Sequence, residues 1–150
     1  MITTTYSEKQ TFNLGKKIAK KLQGGKIIGL TGDLGAGKTV FIKGLAKGLG
    51  VRQAVTSPTF VLMKIYKTNL KFKNQKSKLQ CKIKNLVHID AYRLENSRSL
   101  TDIGVEDYFK DKNTITVIEW AERVKDILPK NAIFVKIKFG KKKNERIIKI

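Results

Sequence analysis

One cysteine and one histidine are all that 150 residues contain. Cys81 alone cannot close a disulfide within the chain or build a multi-cysteine zinc site. His88 alone cannot form a multi-histidine metal cage. Long apolar runs are missing too, and nothing approaches the ~20 residues that a membrane helix needs. The opening Met1-Ile2-Thr3-Thr4-Thr5 has neither a basic n-region nor an apolar h-region. No signal peptide is therefore expected, and the chain is read as cytoplasmic. Acids are scarce, 12 Asp and Glu against 32 Lys and Arg, for a formal charge of +20. Such an excess suits a nucleic acid or another anionic partner. Yet only five of the 32 basic residues are arginine, the side chain suited to base reading and bidentate phosphate contacts. A surplus of lysine and isoleucine is equally what an AT-rich genome's codon bias produces, so the charge alone selects neither reading.

What is present is a globular chain, 41% hydrophobic, of a length that suits one domain over residues 1–150. Ser7 followed by Gln10 has capping-box spacing, and Phe12, Leu14, Ile18, Ala19 and Leu22 recur with helical period, predicting a helix over 7–22. Lys26 to Leu30 is a short apolar run of buried-strand type. After an intervening loop, Val40, Phe41, Leu45, Ala46 and Leu49 continue at helical spacing until Gly50. Ser57-Pro58-Thr59 marks a turn, and Phe60 to Tyr66 reads as a strand. Residues 67–84 hold seven lysines and no acid, a hairpin extension leading into a strand at Leu86 to Ile89. A helix is predicted over Leu100 to Phe109, a strand over Thr114 to Ile118, and a helix over Glu119 to Leu128, ended by Pro129. Ile133 to Phe139 and Arg146 to Ile150 alternate around Gly140 to Asn144, a terminal hairpin. The expected architecture is a single α/β domain with a mixed parallel and antiparallel sheet, flanking helices and a C-terminal hairpin.

Between the first strand and second helix lies Gly32-Asp33-Leu34-Gly35-Ala36-Gly37-Lys38-Thr39, a gapless G-x-x-x-x-G-K-[ST] phosphate loop in its proper setting. Small residues at Gly32, Gly35, Ala36 and Gly37 let the backbone curl so that N–H groups face an anion. The following helix adds its positive end. Lys38 can then reach the β- and γ-phosphates while Thr39 offers a hydroxyl to Mg2+. Such a loop needs an acid for the magnesium sphere, and two strand ends supply candidates, Asp90 and Glu119. The pattern does not choose between them. His88 is read as a packed strand histidine, with a catalytic base as the alternative. Arg93 is read as pairing with an acid or steadying phosphate.

Taken in order, Gly32 to Thr39, Ser57-Pro58-Thr59-Phe60, His88-Ile89-Asp90-Ala91-Tyr92-Arg93-Leu94, Asp102-Ile103-Gly104, Glu106-Asp107-Tyr108 and Ile118-Glu119-Trp120 resemble the TsaE (YjeE) family. That family is the ATPase of bacterial tRNA threonylcarbamoyladenosine biosynthesis. The resemblance runs from about residue 7 to the end, except for the Lys-rich stretch. It implies a P-loop ATPase using ATP and Mg2+, with Thr39 and Glu119 as the magnesium pair and Asp90 positioning the attacking water. It implies that Ser57, Pro58 and Thr59 form a switch-type segment and that Trp120 lies beside the nucleotide. Alternatively, Trp120 is a core aromatic starting a helix. The start of the first helix, around Ser7, and the hairpin around Gly140 to Lys143 would approach the adenine. Implied partners are TsaD and TsaB, which carry the transferase chemistry, with tRNA met indirectly or through residues 67–84. A small-molecule kinase and a non-enzymatic RNA-binding protein are the rival readings. The absence of an arginine-rich lid weighs against the first, and arginine-poor chemistry against the second.

Overall fold

The computed structural model describes residues 1–69 and 83–150. Seven strands form one sheet in the order β1-β7-β6-β2-β5-β4-β3. They are β1 (Ile2–Thr5), β2 (Ile27–Thr31), β3 (Met63–Lys67), β4 (Asn85–Asp90), β5 (Thr114–Glu119), β6 (Ile133–Phe139) and β7 (Arg146–Lys149). The middle four, β6-β2-β5-β4, are mutually parallel. Antiparallel strands close both margins: β3 on β4, β7 on β6 and β1 on β7. The mixed α/β sheet expected from the sequence is thus present.

The two central strands are buried along nearly their whole length, as continuous apolar runs require when both sheet faces are covered. One face carries helices α1 (Glu8–Ala19) and α2 (Lys38–Gly48), whose Phe41 and Leu45 pack with Leu30, Leu86 and Ile115. The other face is covered by α3 (Arg98–Asp102), α4 (Val105–Lys110) and a 3-10 helix at Ala121–Ile127, packing Leu100, Val105 and Val124 on Val87, Ile89 and Ile118. Ser7 caps α1, its Oγ accepting from the Gln10 N–H at 3.2 Å. The helix ends at Ala19, three residues before the expected Leu22.

Four local departures have visible causes. The strand expected from Phe60 begins only at Met63, because Val61 N–H closes a turn on the Pro58 carbonyl at 3.0 Å and Leu62 takes a left-handed φ of 66°. The helix predicted over 100–109 is two helices, divided where Gly104 adopts φ 73°. The helix predicted from Glu119 is a 3-10 segment starting at Ala121, because Glu119 still belongs to β5, paired with Leu30 and Asp90. The polar strand β1 was not expected at all. It forms by pairing Ile2–Thr5 with Arg146–Lys149. The strands flanking the Lys-rich stretch pair antiparallel, out to Thr68 N–H on the Lys84 carbonyl at 3.0 Å. The body of that predicted extension, with Cys81, lies outside the described residues.

Helices α1 and α2 meet backbone to backbone. A Cβ on Gly44 would stand 1.9 Å from the Phe12 carbonyl oxygen, and one on Gly15 2.2 Å from that of Phe41. Gly44→Ala must therefore push the helices apart, at a cost of about 1–3 kcal/mol. In a domain of this size that lowers Tm by about 3 °C or more in a calorimetric melt. An unchanged Tm would contradict the close approach.

Candidate functional site

Because β2, β5 and β4 are parallel neighbours, their carboxyl ends open on one side of the sheet, where open α/β sheets form their crevices. The glycine-rich segment leaves β2 there and turns directly into α2. Gly32 must be glycine twice over, since its φ is 137° and a Cβ would lie 2.0 Å from the Ile137 carbonyl oxygen. Gly37 takes φ 103° as the N-cap of α2, and no side chain caps that helix. The first-turn N–H groups, which have no intrahelical acceptor, consequently face the loop rather than a capping side chain.

Lys38, the first residue of α2, is 5% exposed. Its Nζ folds back to donate to the carbonyls of Gly32 at 2.7 Å and Asp33 at 2.9 Å. The ammonium also lies 3.7 Å from the centroid of the Trp120 ring. Burial lowers the Lys38 pKa from its ordinary value, against the opposing pull of Glu119, Glu122, Asp90 and Asp33. Trp120 holds a left-handed φ of 59° immediately after Glu119, a conformation costing a bulky residue about 1–3 kcal/mol. The ring packs against the core and Tyr92 and also lines the cleft.

Both strand-end carboxyl groups are buried and sit side by side, Asp90 in register with Glu119. Glu119 receives the Thr39 hydroxyl at 3.1 and 3.0 Å, and His88 Nε2 at 2.9 Å. Asp90 Oδ2 accepts from Ser57 Oγ and Thr59 Oγ1, each at 2.6 Å, while Oδ1 accepts the Tyr92 N–H at 2.9 Å. Burial opposes ionisation of Asp90. Those three hydrogen bonds, with His88 nearby, outweigh it and hold the carboxyl below its ordinary value.

These groups line a cleft of about 470 Å³. Of the residues singled out in the sequence, Leu34, Gly35, Gly37, Lys38, Thr39, Ser57, Thr59, Asp90, Glu119 and Trp120 reach its walls. Gly32, Asp33 and Ala36 shape the loop from behind, and Ser7 acts in capping α1 rather than in the lining. His88 is wholly buried behind Glu119. Among the described residues Arg93 meets no acid within ion-pair distance, and its guanidinium lies 4.4 Å over the Phe60 ring.

A family model described as threonylcarbamoyl adenosine biosynthesis protein TsaE matches residues 5–148. The chain belongs to the TsaE family. The TsaE protein of Treponema pallidum is 35% identical over 132 residues, covering 88% of this chain and 87% of that protein. Its Borreliella burgdorferi counterpart is 36% identical over 135 residues, covering 89% and 88%. Among solved structures, the crystal structure of Bacillus subtilis YdiB superposes with a TM-score of 0.75 at 30% identity, covering 99% of this chain and 82% of that one.

The resemblance points to the start of α1, around Ser7, and to the hairpin around Gly140 to Lys143. Those two elements do border this TsaE cleft, but through neighbouring residues that the motifs did not single out. Thr11 and Glu8 on α1 line it, as do Asn144 and Arg146 of the terminal hairpin. Arg146 clamps that hairpin to the glycine-rich loop: Nε donates to the Ala36 carbonyl at 3.1 Å, Nη1 to those of Lys143 and Glu145, and the guanidinium lies 4.5 Å from the Phe139 ring. The available signal was an arginine in an arginine-poor chain.

A lowered carboxyl pKa has a consequence for stability. Ionised Asp90 stabilises the fold fully above the unfolded-state pKa of about 4, and that contribution is lost as pH falls through the lower folded-state value. Urea unfolding should therefore show wild type more stable than Asp90→Asn at pH 7, with the gap narrowing at acid pH. A gap that widens on acidification would contradict the hydrogen-bonded carboxylate.

Proposed function

We propose that the protein is a Mg2+-dependent P-loop ATPase subunit of threonylcarbamoyladenosine formation on tRNA, working with partners of the TsaD and TsaB type. The observation that carries this reading is the bond from Thr39, the last residue of the glycine-rich loop, to Glu119, with Asp90 in register on the next strand. A loop of that sequence between a strand and a helix, backed by a strand-end carboxylate, is what triphosphate binding requires. Family membership supplies the pathway, and the Treponema and Borreliella relatives are named for it.

Among the described residues no three His, Cys, Asp or Glu side chains form a metal cage. One hydroxyl and one carboxylate nonetheless fit Mg2+, which retains waters and takes further oxygens from phosphates. Thr39 and Glu119 would hold it. When bound, the ion neutralises charge developing on the β- and γ-phosphate oxygens. Lys38 gives up the two loop carbonyls for the phosphates, exchanging dipoles for a full opposite charge and so favouring its ammonium form. The uncapped amides of α2 add donors on the same side. Asp90 is suited to orienting and polarising water, because a carboxylate of lowered pKa is a weak base. The hydroxyls of Ser57 and Thr59 tie the 57–59 segment to that carboxylate, which supports the reading of this segment as a switch beside the terminal phosphate. Among the described residues no arginine other than Arg146 lines the cleft, and its guanidinium is engaged with the loop and hairpin. Hydrolysis by the isolated subunit is accordingly slow, the threonylcarbamoyl transfer itself belonging to the TsaD-type partner.

Two variants separate binding from turnover. Lys38→Ala removes a charged phosphate contact worth about 1.5–3 kcal/mol, so calorimetric titration with Mg·ATP should show affinity lowered about 10- to 100-fold. Asp90→Asn should bind Mg·ATP with nearly the wild-type Kd while kcat falls about 100-fold or more. Equal binding by Lys38→Ala, or full turnover by Asp90→Asn, contradicts the assignment.

A further inference from the structure

His88 has no part in the chemistry above, yet it occupies a costly position. The side chain is 0% exposed, and its Nδ1 has no hydrogen-bond partner among the described residues. A buried polar atom left unmatched is destabilising. A leucine would suit its neighbours Leu86 and Val117 in the same core without that loss. What the imidazole provides is its other nitrogen, 2.9 Å from Glu119 Oε1. A carboxylate only accepts, so Nε2 carries the proton and donates.

The register explains how the two meet. His88 pairs with Val117, and Asp90 with Glu119 two residues further along. Side chains two apart share a face, so His88 stands one pleat behind Asp90 and reaches sideways to the end of β5. Glu119 is thereby gripped from two directions: by Thr39 on the cleft side and by His88 from within the sheet. A ligand entering the cleft can reorganise the first contact. It cannot reach the second.

We propose that His88 is the positioning residue for the cation site, fixing the rotation of the Glu119 carboxylate so that Oε2 and the Thr39 hydroxyl present a divalent ion with a preformed pair. The inference rests on the reading of Thr39 and Glu119 as the holders of Mg2+. Outer contacts of this kind change metal affinity about 10- to 100-fold when removed.

The test measures ADP affinity by calorimetry, in EDTA and across a series of Mg2+ concentrations, for wild type and three variants. His88→Leu removes the donor, His88→Gln can place an amide N–H where Nε2 stands, and His88→Asn is polar but too short. The half-saturating Mg2+ concentration should rise about 10- to 100-fold in His88→Leu and His88→Asn and return to within about threefold of wild type in His88→Gln, while ADP binding in EDTA stays the same in all four. Purely structural packing would move neither the Mg2+ midpoint nor its rescue by glutamine. If His88→Leu does not fold, the contrast between asparagine and glutamine decides the same question. An Mg2+ midpoint shared by wild type and the asparagine variant, or an equal loss of ADP binding in EDTA, overturns the role of His88. Wild type whose ADP binding ignores Mg2+ altogether overturns the cation site itself.

Discussion

Parallel pairing of β4 with β5 places Asp90 directly beside Glu119, and the rest of the site follows from that adjacency. Two buried carboxyl groups on neighbouring strand ends would repel and stand poorly solvated. The fold answers with donors from every surrounding element. The glycine-rich loop contributes the Thr39 hydroxyl, the 57–59 segment contributes two hydroxyls, the turn after β4 contributes the Tyr92 amide, and β4 itself contributes His88. Each of these contacts ties a separate stretch of chain to the carboxylate pair. The machinery is held together by the need to satisfy two acids.

The same arrangement explains where the structure departs from regular geometry. Trp120 accepts a left-handed backbone directly after Glu119, which turns the chain out of β5 while leaving its ring under Lys38. Leu62 does likewise at the end of the 57–62 segment, and its carbonyl accepts the Asp90 N–H at 3.1 Å. The only two non-glycine residues with positive φ among the described residues thus flank the two acids. Arg146 performs the corresponding task on the far wall, locking the terminal hairpin to the loop through the Ala36 carbonyl.

Much of this was legible in the sequence, for physical reasons that differ by element. Apolar runs at Ile27–Leu30 and Ile115–Ile118 read as buried strands because parallel strands covered on both faces must be apolar. The loop from Gly32 to Thr39 was legible because its glycines meet steric demands visible at Gly32 and Gly37. Strand β1 was not, since Thr3-Thr4-Thr5 has no alternating apolar face and owes its existence to pairing with β7. The end of β5 was blurred for a similar reason: Glu119-Trp120-Ala121 suits a helix locally, and only the pairing of Glu119 with Leu30 and Asp90 keeps it extended. Thr11, Asn144 and Arg146 reach the cleft through tertiary packing, which spacing along the chain does not encode. The partnership of His88 with Glu119 likewise becomes visible only once β4 and β5 are in register.

On the proposed function, nucleotide bound in this loop drives tRNA modification by a larger assembly. The most direct measurement is threonylcarbamoyladenosine formed over time by TsaD- and TsaB-type partners with tRNA and ATP, in the presence of either wild type or Lys38→Ala. Wild type should sustain repeated rounds of modification per assembly, whereas Lys38→Ala should leave the reaction at the level seen without this subunit. Equal, sustained modification with both proteins would contradict that role for the loop.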